Sequence, residues 1–265
     1  MRLIDSPRIM KLNRLSSLSL APCRTCVAVF VMGLFSVLPQ VIDAATVLSG
    51  TMTVDFSQTQ FGALGTTGIQ DFTQTTANSL TRAQILSTAG DIVGSWSNLP
   101  FAVNGTTVID PDPGNRFVQA TNFTYNPSNL TGTATGQIGL GGVTKWSTGL
   151  GPFFMGDYAL EYDASRVSGI YSGWFLQNHF DFDANAFGLA NVVTSNVSAN
   201  GFSLVGNLVV RDDSGLTFFG ATAGTSFGSF SFTASTSAAP EPSKSFLMLI
   251  GLGSVVIRRR RSLRA

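Results

Sequence analysis

Apolar and polar residues alternate along several short segments of this 265-residue chain, which is the spacing expected of strands that bury one face. Between positions 157 and 163, three large apolar side chains face one way and three acids face the other. The apolar set is Tyr158, Leu160 and Tyr162, and the acidic set is Asp157, Glu161 and Asp163. A sustained helical spacing of apolar residues is almost absent. The pattern therefore predicts an all-β protein.

Turn-forming Gly, Asn and Pro residues separate the predicted strands by about ten residues, which favours an antiparallel sheet. The strands are predicted over 51–56, 117–125, 130–140, 158–162, 167–176, 190–197, 202–210, 216–220 and 227–234. One helix is predicted, over 77–86. We expect residues 46–234 to form an antiparallel β-sandwich or jelly-roll, and the small residues at 235–239 to form a short linker.

The N-terminal end of the chain has a different composition from this body. Residues 1–24 carry five basic residues and one acid, and a charge-free apolar run follows over 27–38. A basic region, an apolar region and a small-residue exit are the parts of a secretory signal peptide. We therefore predict a signal peptide over residues 1–45, with cleavage at Ala44 or Ala45.

The last 26 residues contain three features in a fixed order. Pro240, Glu241 and Pro242 form an extended strip, because proline fixes φ, lacks an amide donor and disfavours helix in the residue before it. The apolar run over 246–257 predicts a C-terminal transmembrane helix, although it is short for a membrane span. The run ends in a basic cluster that is expected to stay on the cytoplasmic side. This basic stop is Arg258, Arg259, Arg260 and Arg261.

This order of features resembles the PEP-CTERM sorting domain of exported proteins in Gram-negative bacteria that make extracellular polysaccharide. The matching residues are Pro240, Glu241 and Pro242, then the short apolar helix with its Gly-Leu-Gly centre, then the four arginines. The resemblance implies handling by an exosortase, a membrane-embedded cysteine protease or transpeptidase that acts near the Pro-Glu-Pro motif. It covers residues 240–265 and implies nothing about the body.

Charge is divided unevenly along the chain. The whole sequence has a formal net charge of +1, but residues 46–238 contain five basic and twelve acidic residues, a net charge of −7. Both predicted signals are basic and the body is acidic. An acidic body argues against nucleic acid or anionic lipid as its partner, because both carry negative charge.

Three sets of residues suggest metal or redox chemistry, and each pattern is incomplete. The sets are Asp110, Asp112 and Asn115; Asp181, Asp183 and Asn185; and the pair Cys23 and Cys26. The first two place oxygen ligands at alternate positions, as calcium loops do, but lack the acid at the twelfth position. The cysteines lie in the predicted signal peptide and are absent from the exported chain. No metal or cofactor is predicted.

Residues suited to catalysis or sugar binding are few. A Ser/His/Asp hydrolase would have to use His179, the single histidine. Glu161 is the one glutamate of the body, and Asp163 would share its strand face, so a glycosidase pair is geometrically possible. Several large aromatics could stack on sugar rings or fill the core. They are Trp96, Trp146, Trp174, Tyr158, Tyr162 and Tyr171.

Together these features predict an exported, non-enzymatic protein of the cell surface or the extracellular polysaccharide matrix. Its expected partners are the export translocon, an exosortase-type protease, the inner membrane in transit, and extracellular polysaccharide. The alternatives are an extracellular carbohydrate-binding module and a polysaccharide-acting hydrolase. An exposed row of aromatic side chains would favour the binding module. Convergence of Glu161 and Asp163 with another acid in a cleft would favour the hydrolase.

Overall fold

Thirteen strands in two antiparallel sheets make up most of the described residues of this computed structural model, 44–74, 80–149 and 151–238. In chain order the strands are β1 (Ala45–Phe56), β2 (Thr66–Thr73), β3 (Ile92–Val93), β4 (Leu99–Val103), β5 (Thr124–Tyr125), β6 (Gln137–Gly141), β7 (Val143–Thr148), β8 (Gly151–Gly156), β9 (Ala159–Ser168), β10 (Tyr171–Asn178), β11 (Ala184–Ser198), β12 (Gly201–Val209) and β13 (Ser226–Ala238). The helices are α1 (Gln58–Ala63), α2 (Arg82–Ser87), α3 (Leu130–Thr133) and a 3₁₀ helix (Gly215–Phe219). The predicted all-β, antiparallel class is confirmed.

Eight of the strands form one closed sheet, a barrel. Its order is β13-β12-β11-β10-β9-β6-β4-β1, and β1 pairs with β13 to complete the circle. That pairing runs from Ala45 opposite Ala238 to Phe56 opposite Gly228. The short strand β5 pairs with the start of β1. Closure corrects the predicted sandwich or jelly-roll, because one continuous sheet surrounds the core where two stacked sheets were expected.

The second sheet, ordered β3-β2-β7-β8, shares a core with the barrel. The ring of Phe61, from α1, stacks on Trp146 of β7 with centroids 4.1 Å apart. Phe72 of β2 meets Phe101 of β4 at 4.9 Å. Fully burying an aromatic or aliphatic side chain of this size stabilises a fold by about 1.5–3 kcal/mol. The aromatic contacts therefore fix the second sheet against the barrel.

Strand β13 shows how the alternating pattern places one face of a strand against the core. Phe230, Phe232 and Ala234 are buried, whereas Ser229, Ser231 and Thr233 are exposed. Side chains alternate between the two faces of a strand, so the apolar set faces the interior and the hydroxyl set faces solvent. The strand continues to Ala238, and Ser235 pairs with Ser49. Residues 235–238, predicted as linker, therefore belong to the sheet.

Four predicted strands are partly or wholly wrong, and the segment 167–176 is one of them, because residues 169–170 form the turn between β9 and β10. Of residues 117–125, only Thr124–Tyr125 are strand. The segment 130–140 begins with α3, because the Asn129 side chain caps it by accepting the Gly132 amide at 3.1 Å. Residues 216–220 lie mainly in the 3₁₀ helix, so the predicted hairpin with 202–210 does not form. In the last two cases a local side-chain cap, from Asn129 or Ser214, competes with the extended backbone.

The predicted helix over 77–86 is displaced towards its C-terminal end. Helix α2 begins after Thr81, whose backbone amide donates to Oε1 of Gln84 at 2.8 Å. The Thr81 hydroxyl accepts the Gln84 amide at 3.3 Å in return. This reciprocal capping box sets the start of the helix. Residues 75–79 lie outside the described part of the chain.

Two predicted segments lie almost wholly outside the described residues. They are the signal peptide, described only from residue 44, and the tail over 240–265 with its proposed transmembrane helix. Within 44–74, 80–149 and 151–238, no helix has both the length and the apolar character that a membrane crossing requires.

Candidate functional site

Four phenylalanine rings touch one another at the surface, and we call them the phenylalanine patch: Phe153, Phe182, Phe218 and Phe219. The Phe153 ring centroid lies 6.3 Å from Phe182 and 5.0 Å from Phe219. Phe218 lies 5.4 Å from Phe219 and is 89% exposed. Phe182 and Phe219 are also exposed, and no other aromatic side chain among the described residues is. A contiguous exposed apolar cluster is a candidate interaction surface.

The 3₁₀ helix presents two of these rings because its ends are fixed. Ser214 caps the helix by accepting the Leu216 amide at 3.2 Å, and its hydroxyl donates to the Ala186 carbonyl at 2.6 Å. Leu216 is buried and anchors one face of the helix. Residues three apart lie above one another in a 3₁₀ helix, so Phe219 lies on the same face of the helix as Leu216. Phe218 lies on a different face and points away from the body. Gly220 ends the helix in the left-handed region at φ 91°.

Phe182 is held at the surface by the buried amide of Asn178. The Asn178 side chain donates to the carbonyls of Phe180 at 2.9 Å and of Phe182 at 2.7 Å. Its own oxygen accepts the Gly156 amide at 2.9 Å. Phe180 points inwards and is fully buried, whereas Phe182 points outwards. One buried side chain therefore fixes the loop that places Phe182 in the patch.

A polar groove of about 640 Å³ lies beside the phenylalanine patch. It runs between the start of β11 and the turn that precedes the 3₁₀ helix. Its polar lining includes Arg166, Gln177, Asp183, Asn185, Asp212 and Asp213. A smaller apolar hollow, which shares Ala184, Asn185 and Gly215 with the groove, contains Phe153, Phe182 and Phe219. The groove and the patch are therefore continuous.

Charges in the groove are partly paired. Arg166 donates to Oδ2 of Asp213 at 2.6 Å, and its guanidinium lies 4.0 Å from the centre of the Phe175 ring. Asn185 donates to the same Asp213 oxygen at 3.0 Å. Asp183 and Asp212 add two further carboxylates to the lining. The groove therefore carries a net negative charge when its acids are ionised.

His179 and Glu161 lie close to the groove without lining it. Nδ1 of His179 is 2.6 Å from Oδ1 of Asp183, and Nε2 is buried with no hydrogen-bond partner among the described residues. Burial raises the pKa of the Glu161 carboxyl, and the nearby charges of His179 and Arg166 oppose that shift. The single histidine and the single glutamate of the body are thus electrostatic neighbours.

A second hollow, of about 270 Å³, is also lined by Phe153 and Phe182, together with Arg82, Lys145 and Asp181. Arg82 forms a two-point ion pair with Asp181, with the second contact, Nη2 to Oδ2, at 3.1 Å. The hydrogen bond to Asp181 raises the pKa of the Arg82 guanidinium. Its positive charge is therefore already compensated.

The most deeply buried charges are Arg116 and Asp157. Nε and Nη2 of Arg116 donate to the two carboxylate oxygens of Asp157 at 2.8 Å and 2.7 Å, and neither side chain is exposed. A third donor, Nη1, bonds to the Leu80 carbonyl. Burial raises the pKa of Asp157, and the Arg116 hydrogen bonds oppose this. The pair joins the 110–116 loop to the turn between β8 and β9.

The two candidate calcium loops use their oxygens for structural hydrogen bonds. Asp112 accepts the Arg82 amide at 2.8 Å and the Asn115 side chain at 3.0 Å, and these bonds lower its pKa. Asp181 and Asp183 are paired with Arg82 and His179. Among the described residues, no group of three His, Cys, Asp or Glu side chains could hold a metal ion.

The aromatic residues singled out from the sequence belong mainly to the core. Trp146, Trp174 and Tyr158 are buried, and Trp96, Tyr162 and Tyr171 are half-buried. Of the predicted acid pair, Glu161 is half-buried, whereas Asp163 is exposed and accepts the Ser165 amide at 2.8 Å. Hydrogen bonds from Ser165 hold the pKa of Asp163 below its usual range.

One motif that the sequence analysis missed is Gly224-Thr-Ser226-Phe-Gly228, which has the spacing of a nucleophile elbow. Ser226 is exposed at the start of β13, and its hydroxyl donates to the Gly228 carbonyl at 3.3 Å. A nucleophile elbow requires a sharp turn from a strand into a helix, and that turn is not present here. The motif is therefore structural at this position.

The phenylalanine patch was also missed, although the sequence carries a sign of it. Leu216-Thr-Phe-Phe219 lies between Gly215 and Gly220, and adjacent phenylalanines in so short a segment cannot both face a core. Because the segment was predicted as a strand of the sheet, the exposure of these rings was not predicted. Phe153 and Phe182 lie far from it in sequence, so only the fold brings the four rings together.

Of the predicted processing residues, the structure describes Ala44 and Ala45. Ala44 is exposed, and Ala45 is fully buried as the first residue of β1. The sorting motif, Pro240, Glu241 and Pro242, and the basic stop, Arg258, Arg259, Arg260 and Arg261, lie outside the described residues.

Comparison with known proteins gives little that bears on function. No protein-family model matches the chain. No curated protein matches it. Among solved structures, the C-terminal domain of HtaA from Corynebacterium glutamicum is similar, with 14% sequence identity, a TM-score of 0.40, and coverage of 72% of this chain and 99% of that chain. The functional argument therefore depends on the residues of this chain alone.

Proposed function

We propose that this chain is an exported, non-enzymatic protein of the cell surface or the extracellular polysaccharide matrix. In this proposal residues 1–45 direct export through the translocon, and residues 240–265 are a PEP-CTERM-type tail. The tail holds the precursor in the inner membrane until an exosortase acts near Pro240, Glu241 and Pro242. The basic stop, Arg258, Arg259, Arg260 and Arg261, keeps the end of the tail in the cytoplasm.

The observation that carries the proposal is the position of the barrel ends. Strand β1 begins at Ala45 and β13 ends at Ala238, so the paired residues of the sheet overlap the two proposed signals only at Ala45. Ala45 is buried and paired, whereas Ala44 is exposed. Cleavage after Ala44 and near Pro240 would remove both signals without removing a paired residue. A protein whose sorting signals are removed by cleavage needs this separation between the signals and the folded body.

A bacterium that produces an exosortase provides the test. The full chain and a Pro240→Ala, Glu241→Ala, Pro242→Ala variant are expressed, the cells are fractionated, and both termini are identified by mass spectrometry. We expect the parent outside the inner membrane without its arginine cluster, and the variant in the membrane fraction with its tail intact. Substitution of Ser237 and Ser235 by Ala, on the barrel side of the motif, is the matched control and should be processed normally.

Two results of this experiment would contradict the sorting role. Parent protein recovered outside the membrane with Arg258 to Arg261 still attached would contradict the sorting role. Identical location and mass for the parent and the motif variant would contradict it as well.

A further inference from the structure

The phenylalanine patch and the polar groove form one continuous surface that combines exposed rings with hydrogen-bonding side chains. We infer that this surface binds an uncharged, hydroxyl-rich polysaccharide chain. The inference rests on the proposed function, because it supplies the contact through which an exported protein would be retained in a polysaccharide matrix. It adds the site and the class of ligand.

The aromatic half of the surface suits the apolar faces of sugar rings. Phe218, Phe219 and Phe182 are 89%, 46% and 38% exposed. Phe153 has ring contacts with Phe182 and Phe219, and Phe219 contacts Phe218. A pyranose ring presents C–H groups on its faces and hydroxyls at its edge. Aromatic rings bury such C–H surface, and an aromatic contact is rigid because the side chain has few rotatable bonds.

The polar half of the surface has unused hydrogen-bonding capacity. The side chains of Gln177 and Asp212 line the groove and make no hydrogen bond to any described residue. One carboxylate oxygen of Asp183 contacts Nδ1 of His179, and the other oxygen can accept a hydrogen bond from a ligand. Amide and carboxylate groups accept from sugar hydroxyls, and the Gln177 amide also donates. A groove with a few such groups beside an apolar wall is the usual composition of a ligand site.

The charge of the groove selects against anionic ligands. Asp183, Asp212 and Asp213 outnumber the two nearby cations, Arg166 and Arg211, and both cations are already paired with Asp213. The body as a whole carries a net charge of −7. A uronic acid polymer or an anionic lipid surface would be repelled, because like charges must approach in a partly desolvated site. A neutral glycan avoids this cost.

Affinity electrophoresis of the full chain, kept in mild non-ionic detergent, tests the inference. The native gel contains one soluble polymer from a panel of neutral glucan, xylan, mannan and galactan. Carboxymethylated glucan and alginate serve as charged probes. The test variant is Phe218→Ala with Phe219→Ala. The matched control is Val193→Ala with Val205→Ala, an exposed, directly paired apolar couple on β11 and β12, away from the patch.

We expect at least one neutral polymer to retard the parent and the control equally. The phenylalanine variant should bind roughly tenfold more weakly, as expected for loss of a well-placed aromatic contact. Gln177→Ala should weaken binding less. The charged probes should bind more weakly than the matching neutral polymer at low salt, and the difference should shrink as salt is added.

Several outcomes would overturn the inference. These are no retardation by any neutral polymer, equal loss in the control variant, or tighter binding to the charged probes. Loss of self-association in light scattering of the phenylalanine variant, without glycan binding by the parent, would identify the patch as a contact between copies. Binding of the parent to anionic vesicles alone would identify a lipid surface.

Failure of this inference can be distinguished from failure of the proposed function. The Phe218→Ala, Phe219→Ala variant retains residues 240–265, so the sorting role predicts normal removal of its tail. Normal processing with no glycan binding by the parent rejects the binding site alone. Glycan binding with an unprocessed tail outside the membrane rejects the sorting role alone.

Discussion

Ala45 and Ala238 lie directly opposite each other, as the first residue of β1 and the last residue of β13. The chain therefore enters and leaves the barrel at one place on the closing pair of strands. Closure removes the free edges that an open sheet would offer to other chains. Because the closing strand β13 is the last strand of the described residues, integrity of the barrel depends on residues that closely precede the proposed tail.

Truncation should separate the barrel from the tail. Deleting residues 240–265 removes no residue of β13, so the urea midpoint of unfolding should stay within error of the parent value. Deleting 226–265 removes the whole strand and opens the barrel between β1 and β12, and we expect loss of cooperative unfolding. Tryptophan fluorescence during urea titration measures both. A cooperative transition in the shorter chain would show that closure is dispensable.

Breaking the buried ion pair should be costly. Arg116→Met leaves the Asp157 carboxylate buried without its partner, and such a loss typically costs about 3–5 kcal/mol of unfolding free energy. Arg82→Met is the matched control, because its pair with Asp181 is partly exposed and should contribute less than about 1 kcal/mol. Urea unfolding of the two variants gives the comparison. Equal losses would mean that the Arg116 pair is not desolvated as the structure shows.

The sequence was sufficient for the class of the fold but not for its closure. Alternation in β13, with Phe230 and Phe232 separated by Ser231, predicts strands with one buried face wherever it occurs. A barrel and a sandwich impose the same alternation, since both have one inner and one outer face. What separates them is the pairing of β1 with β13, a contact between the two ends of the body that no local pattern encodes.

The phenylalanine patch could not be predicted from the sequence, for a related reason. Trp146 and Trp174 were sugar-stacking candidates, but the fold buries them, while Phe218 and Phe219 remain outside. Residue type does not distinguish a core aromatic from an exposed one. The deciding features are the Ser214 cap, which makes the 3₁₀ helix, and the Asn178 side chain, which turns Phe182 outwards. Both are single hydrogen-bonding groups acting within a few residues.

Glu161 should make stability fall as pH rises. Burial raises the pKa of its carboxyl in the folded state above the unfolded value of about 4.3, so the folded protein keeps a proton that the unfolded chain has released. Unfolding free energy therefore decreases between the unfolded and the folded pKa, and the decrease persists at higher pH. Glu161→Gln removes this effect, so it should be more stable than the parent at pH 7 and equally stable below pH about 4.

Asp163 lies on the same strand as Glu161, and its pKa is shifted in the opposite direction. Hydrogen bonds from Ser165 lower the pKa of Asp163, so its contribution is present at neutral pH and is lost as pH falls through the lowered value. Asp163→Asn should therefore be less stable than the parent at pH 7. Denaturant titrations from pH 3 to pH 8 record both variants. Parallel pH profiles for the two would contradict the assignment of either shift.

Gly139 tests how closely the irregular segment before β5 packs on the barrel. Its amide donates to the Thr121 hydroxyl at 3.1 Å, and its carbonyl accepts the Asn104 amide at 2.8 Å. A Cβ at this position would lie 1.9 Å from the Gln119 carbonyl oxygen, which is backbone and cannot rotate away. Gly139→Ala should therefore displace this segment and cost about 1–3 kcal/mol, the usual range for overpacking.

Gly68 is the matched control for that substitution, since it also lies in a strand but a Cβ there would have no neighbour within 4 Å. Gly68→Ala should leave stability unchanged or slightly raised, because alanine restricts the unfolded chain more than glycine does. Urea midpoints of the two variants measure the difference. If both variants unfold at the parent midpoint, the segment around Gln119 is not seated on β6, and the barrel wall at β4 and β6 is open to solvent there.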